Sequence, residues 1–181
     1  MKVEKIILKY YDKKSKAYDV LMTHSELVRD KALWLAERVG EFKPDMKFIS
    51  EAAMLHDIGI IRTDAPKIGC HGKHPYIAHG YLGRKMVEAF DYPKHALVCE
   101  RHTGVGISIK DIKKQGLPIP LREMRPVSLE EQIICFADKF YSKNPKRLYL
   151  EKPLQRVRSS IAKHGDEKVA QLEKWIEFFH L

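Results

Sequence analysis

Apolar residues recur at spacings of three and four through one long amphipathic stretch: Tyr18, Leu21, Met22, Leu27, Val28, Ala32, Leu35, Ala36 and Val39. Gly40 is a natural stop for that helix. A second helix is expected after Pro44-Asp45, running through Ile49, Ala52, Ala53 and Leu55 and ending near Gly59. The pattern then fades from Ile60 to Tyr76, where Pro66, Gly69, Gly72 and Pro75 predict a long loop. Helical periodicity returns at residues 77–90 and 93–101, the latter with proline in its first turn. Gly104, Gly106, Gly116, Pro118, Pro120 and Pro126 predict a further irregular segment. Ser128 with Glu131 three residues on has the form of a capping box, opening a helix that carries Ile133, Ile134, Phe136, Ala137 and Phe140. Two last helices, residues 153–163 and 166–179, meet at Gly165. With no alternating run of useful length, the expectation is an all-α fold.

Length supports a single unit. At 181 residues the chain suits one domain with a proper core, expected to span 1–181, with a motif-bearing part of about 18–143 and basic helices over 144–181. No apolar run is long enough to cross a membrane, and the opening MKVEKIILKYYDKK lacks the form of an export signal. Cys70, Cys99 and Cys135 are odd in number and widely spaced, which suits a reducing cytoplasm. Cys99 and Cys135 fall on apolar helical faces and read as core, as do Trp34, Trp175, Phe178 and Phe179. The formal charge is +9, and residues 139–181 hold ten Lys/Arg against five Asp/Glu. This balance favours a small anionic partner, a phosphate or nucleotide, over nucleic acid.

The chemistry lies in nine histidines and two aspartates at unusual places. His24 falls inside the long helix, and His56-Asp57 ends the next. His79 begins one helix, His102 ends another, and Asp138 lies in the helix opened by Ser128. An ionised carboxylate buried among Phe136, Ala137 and Phe140 is costly unless paired, and a cation is the simplest partner. Neutral imidazoles with carboxylates suit a divalent first-row metal: Fe, Mn, Ni, Zn or Co. His24, His56, Asp57 and Asp138 are enough for one ion with positions left for water. His79 and His102, with Asp57 bridging, are enough for a second. Two ions about 4 Å apart suit a phosphoryl group and an activated water.

The order His24, His56-Asp57, Asp138 resembles the motif of the HD-domain superfamily of metal-dependent phosphohydrolases. His56-Asp57-Ile58-Gly59 is similar to its HDIG variant letter for letter, and the likeness runs from about residue 23 to 140. His79-Gly80 and Arg101-His102-Thr103-Gly104 resemble the extra histidines of subgroups with binuclear centres. The resemblance implies a compact helical fold around one buried metal centre. One ion is held by His24, His56, Asp57 and Asp138, and another by His79, His102 and bridging Asp57. It implies hydrolysis of a nucleotide or another small phosphate mono- or diester by a metal-bound hydroxide, which Asp57, as the catalytic residue, holds and orients. It extends also to di-iron oxygenases of the same fold, and a non-catalytic nucleotide-binding module is a further alternative.

Substrate contacts are expected from the loop after the His-Asp pair. Arg62, Lys67, Lys73 and His74 are its candidates, acting as a lid over the phosphates. Arg101 and Lys139, each beside an expected ligand, complete the set. Thr103-Gly104-Val105-Gly106 lacks the Gly-Lys-Ser/Thr ending of a phosphate loop and is expected only to neighbour the metals.

Overall fold

The computed structural model describes residues 3–181, and it is all-α. Among those residues nine helices succeed one another: α1 (Val3–Leu8), α2 (Lys16–Arg38), α3 (Met46–Leu55), α4 (His79–Glu88), α5 (Pro93–Arg101), α6 (Ile109–Gln115), α7 (Leu129–Asp138), α8 (Leu154–Ile161) and α9 (Asp166–Phe178). The one sheet among the described residues is a two-residue ladder, β1 (Asp64–Ala65) against β2 (Cys70–His71), antiparallel with Asp64 opposite His71.

Local chemistry sets the helix starts. Ser15, Asp45 and Ser128 each accept a bond from the backbone N–H three residues on, at Tyr18, Phe48 and Glu131. In α7 the reciprocal half of the capping box is displaced by one residue, because the Glu131 carboxylate takes the N–H of Val127 rather than that of Ser128. The helix ends at Asp138 and not at Phe140, so Asp138 points from a helix terminus.

Two helices depart from the sequence expectation. The six residues of α1 are too few to show periodicity, yet Ile6 and Ile7 are buried. The segment expected to be irregular contains α6, which Ser108 and Asp111 close with a full capping box. That pair was the available signal, outweighed by the surrounding Gly and Pro.

Packing produces two main apolar clusters. One gathers the C-terminal half of α2 (Val28, Ala32, Leu35, Ala36) with Ala52 and Ala53 of α3, α7, α8 and α9. The other gathers α1, the N-terminal half of α2 (Val20, Leu21), Leu55, Ile58, Ile60, and Met86 and Val87 of α4. Helix α2 thus serves both, and His24 lies where it passes from one to the other. Phe179 stacks on Phe136 and Trp175 lies tilted against it in the first cluster, and all three cysteines are buried and free. Trp34 is a correction: it is 39% exposed, with the Lys31 ammonium 4.2 Å from its ring centroid.

Glycine lets the second cluster close. After Asp57 the chain makes a 3₁₀ turn, Ile58–Arg62, and α4 crosses it at Gly59 and Gly83. A Cβ on Gly59 would stand 2.1 Å from the His79 carbonyl oxygen and 2.5 Å from the Gly83 nitrogen. The glycine of the His-Asp-Ile-Gly run is therefore a packing requirement that brings the first turn of α4 against the His-Asp pair. None of the described helices is long and apolar enough to cross a membrane.

Candidate metal centre

Six side chains converge between the two apolar clusters. His24, His56, Asp57, His79 and His102 are between 0 and 4% exposed, and Asp138 is 9% exposed. They form two groups that share Asp57. Its Oδ2 lies 3.1 Å from both His24 Nε2 and His56 Nε2. Asp138 Oδ1 completes this group, 3.0 Å from His24 Nε2 and 3.6 Å from His56 Nε2. The other oxygen of Asp57, Oδ1, faces His79 Nε2 at 3.4 Å and His102 Nε2 at 3.3 Å. Each group could hold one metal ion, with Asp57 offering one oxygen to each.

Backbone geometry aims the imidazoles. His56, His79 and His102 sit at or beside helix termini, and each places Nδ1 on the carbonyl oxygen three residues earlier: Ala53 at 2.6 Å, Tyr76 at 2.7 Å and Cys99 at 2.8 Å. A carbonyl only accepts, so Nδ1 carries a proton and donates it, which turns Nε2 of each ring inward; in the neutral rings of His79 and His102 that atom is a lone pair. This is how proteins orient histidine ligands. It sets the His79 and His102 Nε2 atoms 3.1 Å apart, two lone pairs facing each other, an arrangement that a cation between them satisfies.

Electrostatics ask for the same thing. Asp57 Oδ1 and His56 Nε2 are buried without a hydrogen bond, and Asp57 Oδ2, which also makes none, is met by the Lys143 ammonium as an ion pair. Burial would raise the Asp57 carboxyl, but Lys143 and His56 outweigh it and hold it well below the carboxylate range. Asp138 is lowered in the same way, by Lys139 and Lys143 against burial. Burial pushes His79 down to about 3 and His102 downward also, so both rings stay neutral. For His56 burial is overcome by the two carboxylates, which draw it up to about 9. Buried carboxylates beside inward-turned ring nitrogens, those of His79 and His102 neutral, fit a divalent ion of the first-row series.

A cavity of about 650 Å³ opens onto this cluster, walled by Asp138, Lys139, Lys143, Lys152 and Lys67 among others. That is the size of a small-molecule site. Lys143 was not singled out in the sequence, where it is one lysine of a basic run. Its ammonium pairs with Asp57 Oδ2 and lies 3.3 Å from His24 Nε2. The available signal was its place five residues after Asp138, just past the end of α7. Lys139 Nζ binds Asp138 Oδ2 at 2.7 Å and the His102 carbonyl at 3.1 Å, tying the two groups together. Lys152 donates to the carbonyls of Lys139 and Tyr141 beyond the end of α7.

Of the other expected contacts, only Lys67 is on the cavity wall. Lys73 and His74 are exposed and lie off it. The Arg62 guanidinium stands 5.7 Å from the centroid of the Tyr10 ring, and Arg101 Nη1 binds both oxygens of Glu131 at 3.0 Å. The segment expected to be a loose lid is anchored. Thr63 pairs with Gly72 and Asp64 with His74 through the backbone, while Ile68 and Cys70 are buried.

A helical fold with a shared carboxylate between two histidine groups defines a class of candidate metalloproteins. The sequence comparison places the chain within it: residues 21–143 match the HD domain family, and the chain belongs to that family. It is 29% identical over 133 residues to an uncharacterized protein of Methanocaldococcus jannaschii, covering 73% of this chain and 70% of that one. It is 28% identical over 131 residues to the tRNA (cytidine(56)-2′-O)-methyltransferase of Picrophilus torridus, covering 72% of this chain but 34% of the methyltransferase. No solved structure matches the chain.

Proposed function

We propose that the protein is a metal-dependent phosphohydrolase that cleaves a nucleotide or another small phosphate mono- or diester. The observation that carries this reading is the shared Asp57, with one oxygen turned to each histidine group, in a cluster that a cation-walled cavity reaches at Asp138. His24, His56, Asp57 and Asp138 would hold one divalent ion, and Asp57, His79 and His102 a second. Ions in these positions supply Lewis acidity toward a phosphoryl oxygen and toward the attacking water.

The chain's own groups do the rest. Asp57 stays ionised because Lys143 and His56 oppose the cost of its burial, so it is placed to hold and orient the water. Lys143 and Lys139 stand between cluster and cavity, where a fixed ammonium offsets charge building on phosphoryl oxygens. Lys67 draws the anion in from the rim. Lys73, His74, Arg62 and Arg101 take no part in this scheme. The two neutral histidines, His79 and His102, add no positive charge of their own, so metal charge and lysines must balance the substrate.

The test is metal content per chain together with phosphate release from a panel of phosphomonoesters, phosphodiesters and nucleotides, for wild type and Asp57→Asn. One or two divalent ions and turnover are expected in the wild type, and both should be lost in the variant. Undiminished turnover by metal-stripped Asp57→Asn protein would overturn the reading. Oxygen consumption by an iron form without phosphate release would establish the oxygenase alternative instead. Ligand binding with no turnover across the panel would establish the binding module.

A further inference from the structure

A smaller recess of about 170 Å³ adjoins the large cavity, with Gly104, Ile161 and His164 belonging to both walls. Its character is opposite to that of the cluster end. Ile77, Val105, Ile107, Leu117 and Ile161 supply its surface. The charged groups beside it are already satisfied: Lys168 Nζ binds Asp111 Oδ2 at 2.5 Å and the Gly106 carbonyl at 2.7 Å. Asp111 Oδ2 also accepts the Ser108 N–H at 2.8 Å. A ligand group entering here meets mainly carbon surface, with Thr103, Gln115 and His164 completing the wall.

The run Thr103–Gly106, none of whose residues belongs to a candidate ligand group, builds the inner wall. It follows His102 directly, and Gly104 and Gly106 take φ of +61° and +96°, the left-handed region that glycine enters at no steric cost. At Gly106 a Cβ would come within 2.8 Å of the Arg125 Cα. Two glycines thus turn the chain sharply from a candidate ligand to the recess, placing apolar surface next to the phosphate end of the cavity.

We infer that the substrate is a phosphate ester bearing a flat apolar ring, with its phosphate at the cluster and its ring in the recess formed by Val105, Ile107, Leu117 and Ile161. The inference rests on the phosphohydrolase reading for the phosphate end, and on the recess alone for the ring. The ring is either joined directly to the ester oxygen or carried at the far end of a sugar. A polyphosphate chain or a bare polyol phosphate would leave the recess unfilled and gain nothing from it.

The experiment is calorimetric binding to the full chain, using non-hydrolysable probes so that turnover is not needed. Phenylphosphonate is compared with methylphosphonate, and the 5′-methylenephosphonate analogue of adenosine monophosphate with that of ribose 5-phosphate, to separate the two placements of the ring. Burying a ring is expected to tighten binding about tenfold in at least one pair. Leu117 is half-buried at the recess wall, so Leu117→Trp should fill the space. It should abolish that gain while leaving methylphosphonate within about twofold of wild type. Leu117→Ser, which removes apolar wall without adding bulk, should weaken the ring probe alone and serves if the tryptophan variant fails to fold.

Equal affinities within both pairs, or an undiminished ring gain in the Leu117 variants, would overturn the inference. The two readings fail separately. Absence of phosphate release with the ring gain intact would sink the hydrolase and spare the recess. Hydrolysis of methyl and phenyl phosphate at equal KM, with no ring gain in binding, would do the reverse.

Discussion

The six-residue cluster and residues 58–76, the segment that follows its His56-Asp57 pair, obey different rules. In the cluster every side chain is buried and aimed: three imidazoles are fixed by carbonyls three residues back, and one carboxylate faces both groups. In the segment the order belongs to the backbone, through the Asp64–His71 ladder and the Thr63–Gly72 bond, and to buried Ile68 and Cys70. Its cations are left in solvent, and of them only Lys67 reaches the cavity wall. Chemistry here is placed by burial, while exposed charge is placed by nothing stronger than solvation.

The sharpest way to break this contrast uses two glycines. A Cβ on Gly59 would meet the His79 carbonyl oxygen at 2.1 Å, and one on Gly72 would meet the Arg62 carbonyl carbon at 2.0 Å. Gly59→Ala should push α4 away from Asp57, lower the metal bound per chain and lower kcat by about a hundredfold or more. Gly72→Ala disturbs only the hairpin, so it should raise KM and leave metal content unchanged. Equal metal loss in both variants, measured by elemental analysis, would erase the distinction.

A smaller effect separates the lysines. Lys143→Ala removes an ammonium beside Asp57 and should cut kcat/KM about a hundredfold. Lys73→Ala, off the cavity wall, should stay within about twofold. A large loss from Lys73→Ala would show that the segment closes over the substrate after all.

The smallest effect reads the segment's anchoring. Burial pushes the Cys70 thiol up to about 11 and the Cys135 thiol to about 12. A raised value keeps the unreactive thiol form at pH 8, and thiolate appears only as pH rises toward those values. Both should resist a thiol reagent in the native protein at pH 8 and react on unfolding. Fast labelling of Cys70 with Cys135 still protected would mean that residues 58–76 open as a unit.

The residues at the cluster were legible because they break a pattern. Histidine or aspartate in the apolar register of a helix, as at His24 and Asp138, needs a partner, and the need is visible without coordinates. The longer helices were legible for the same reason, since α2, α3 and α7 carry both periodicity and caps. Helices α1 and α6 were not, being six and seven residues long. Lys143 escaped because a lysine in a basic run carries no anomaly, and only the end of α7 at Asp138 turns it to the cluster. Arg101 was misleading for the converse reason: its neighbour His102 faces the cluster, whereas Arg101 itself points toward Glu131.

The sequence by itself determined an all-α fold, the HD family and the six polar residues that demand a common partner. The fold and the polar residues follow from local periodicity and from the cost of burying polar groups, both properties of short stretches of chain, and the family follows from the motif His24, His56-Asp57, Asp138 that resembles its own. Only the tertiary structure decided that Asp57 divides its two oxygens between the histidine groups, that Gly59 is the point where α4 crosses the turn, and which cations reach the cavity. Those outcomes depend on which surfaces meet across the chain, and charge or glycine content at one position does not encode the direction in which its neighbours approach.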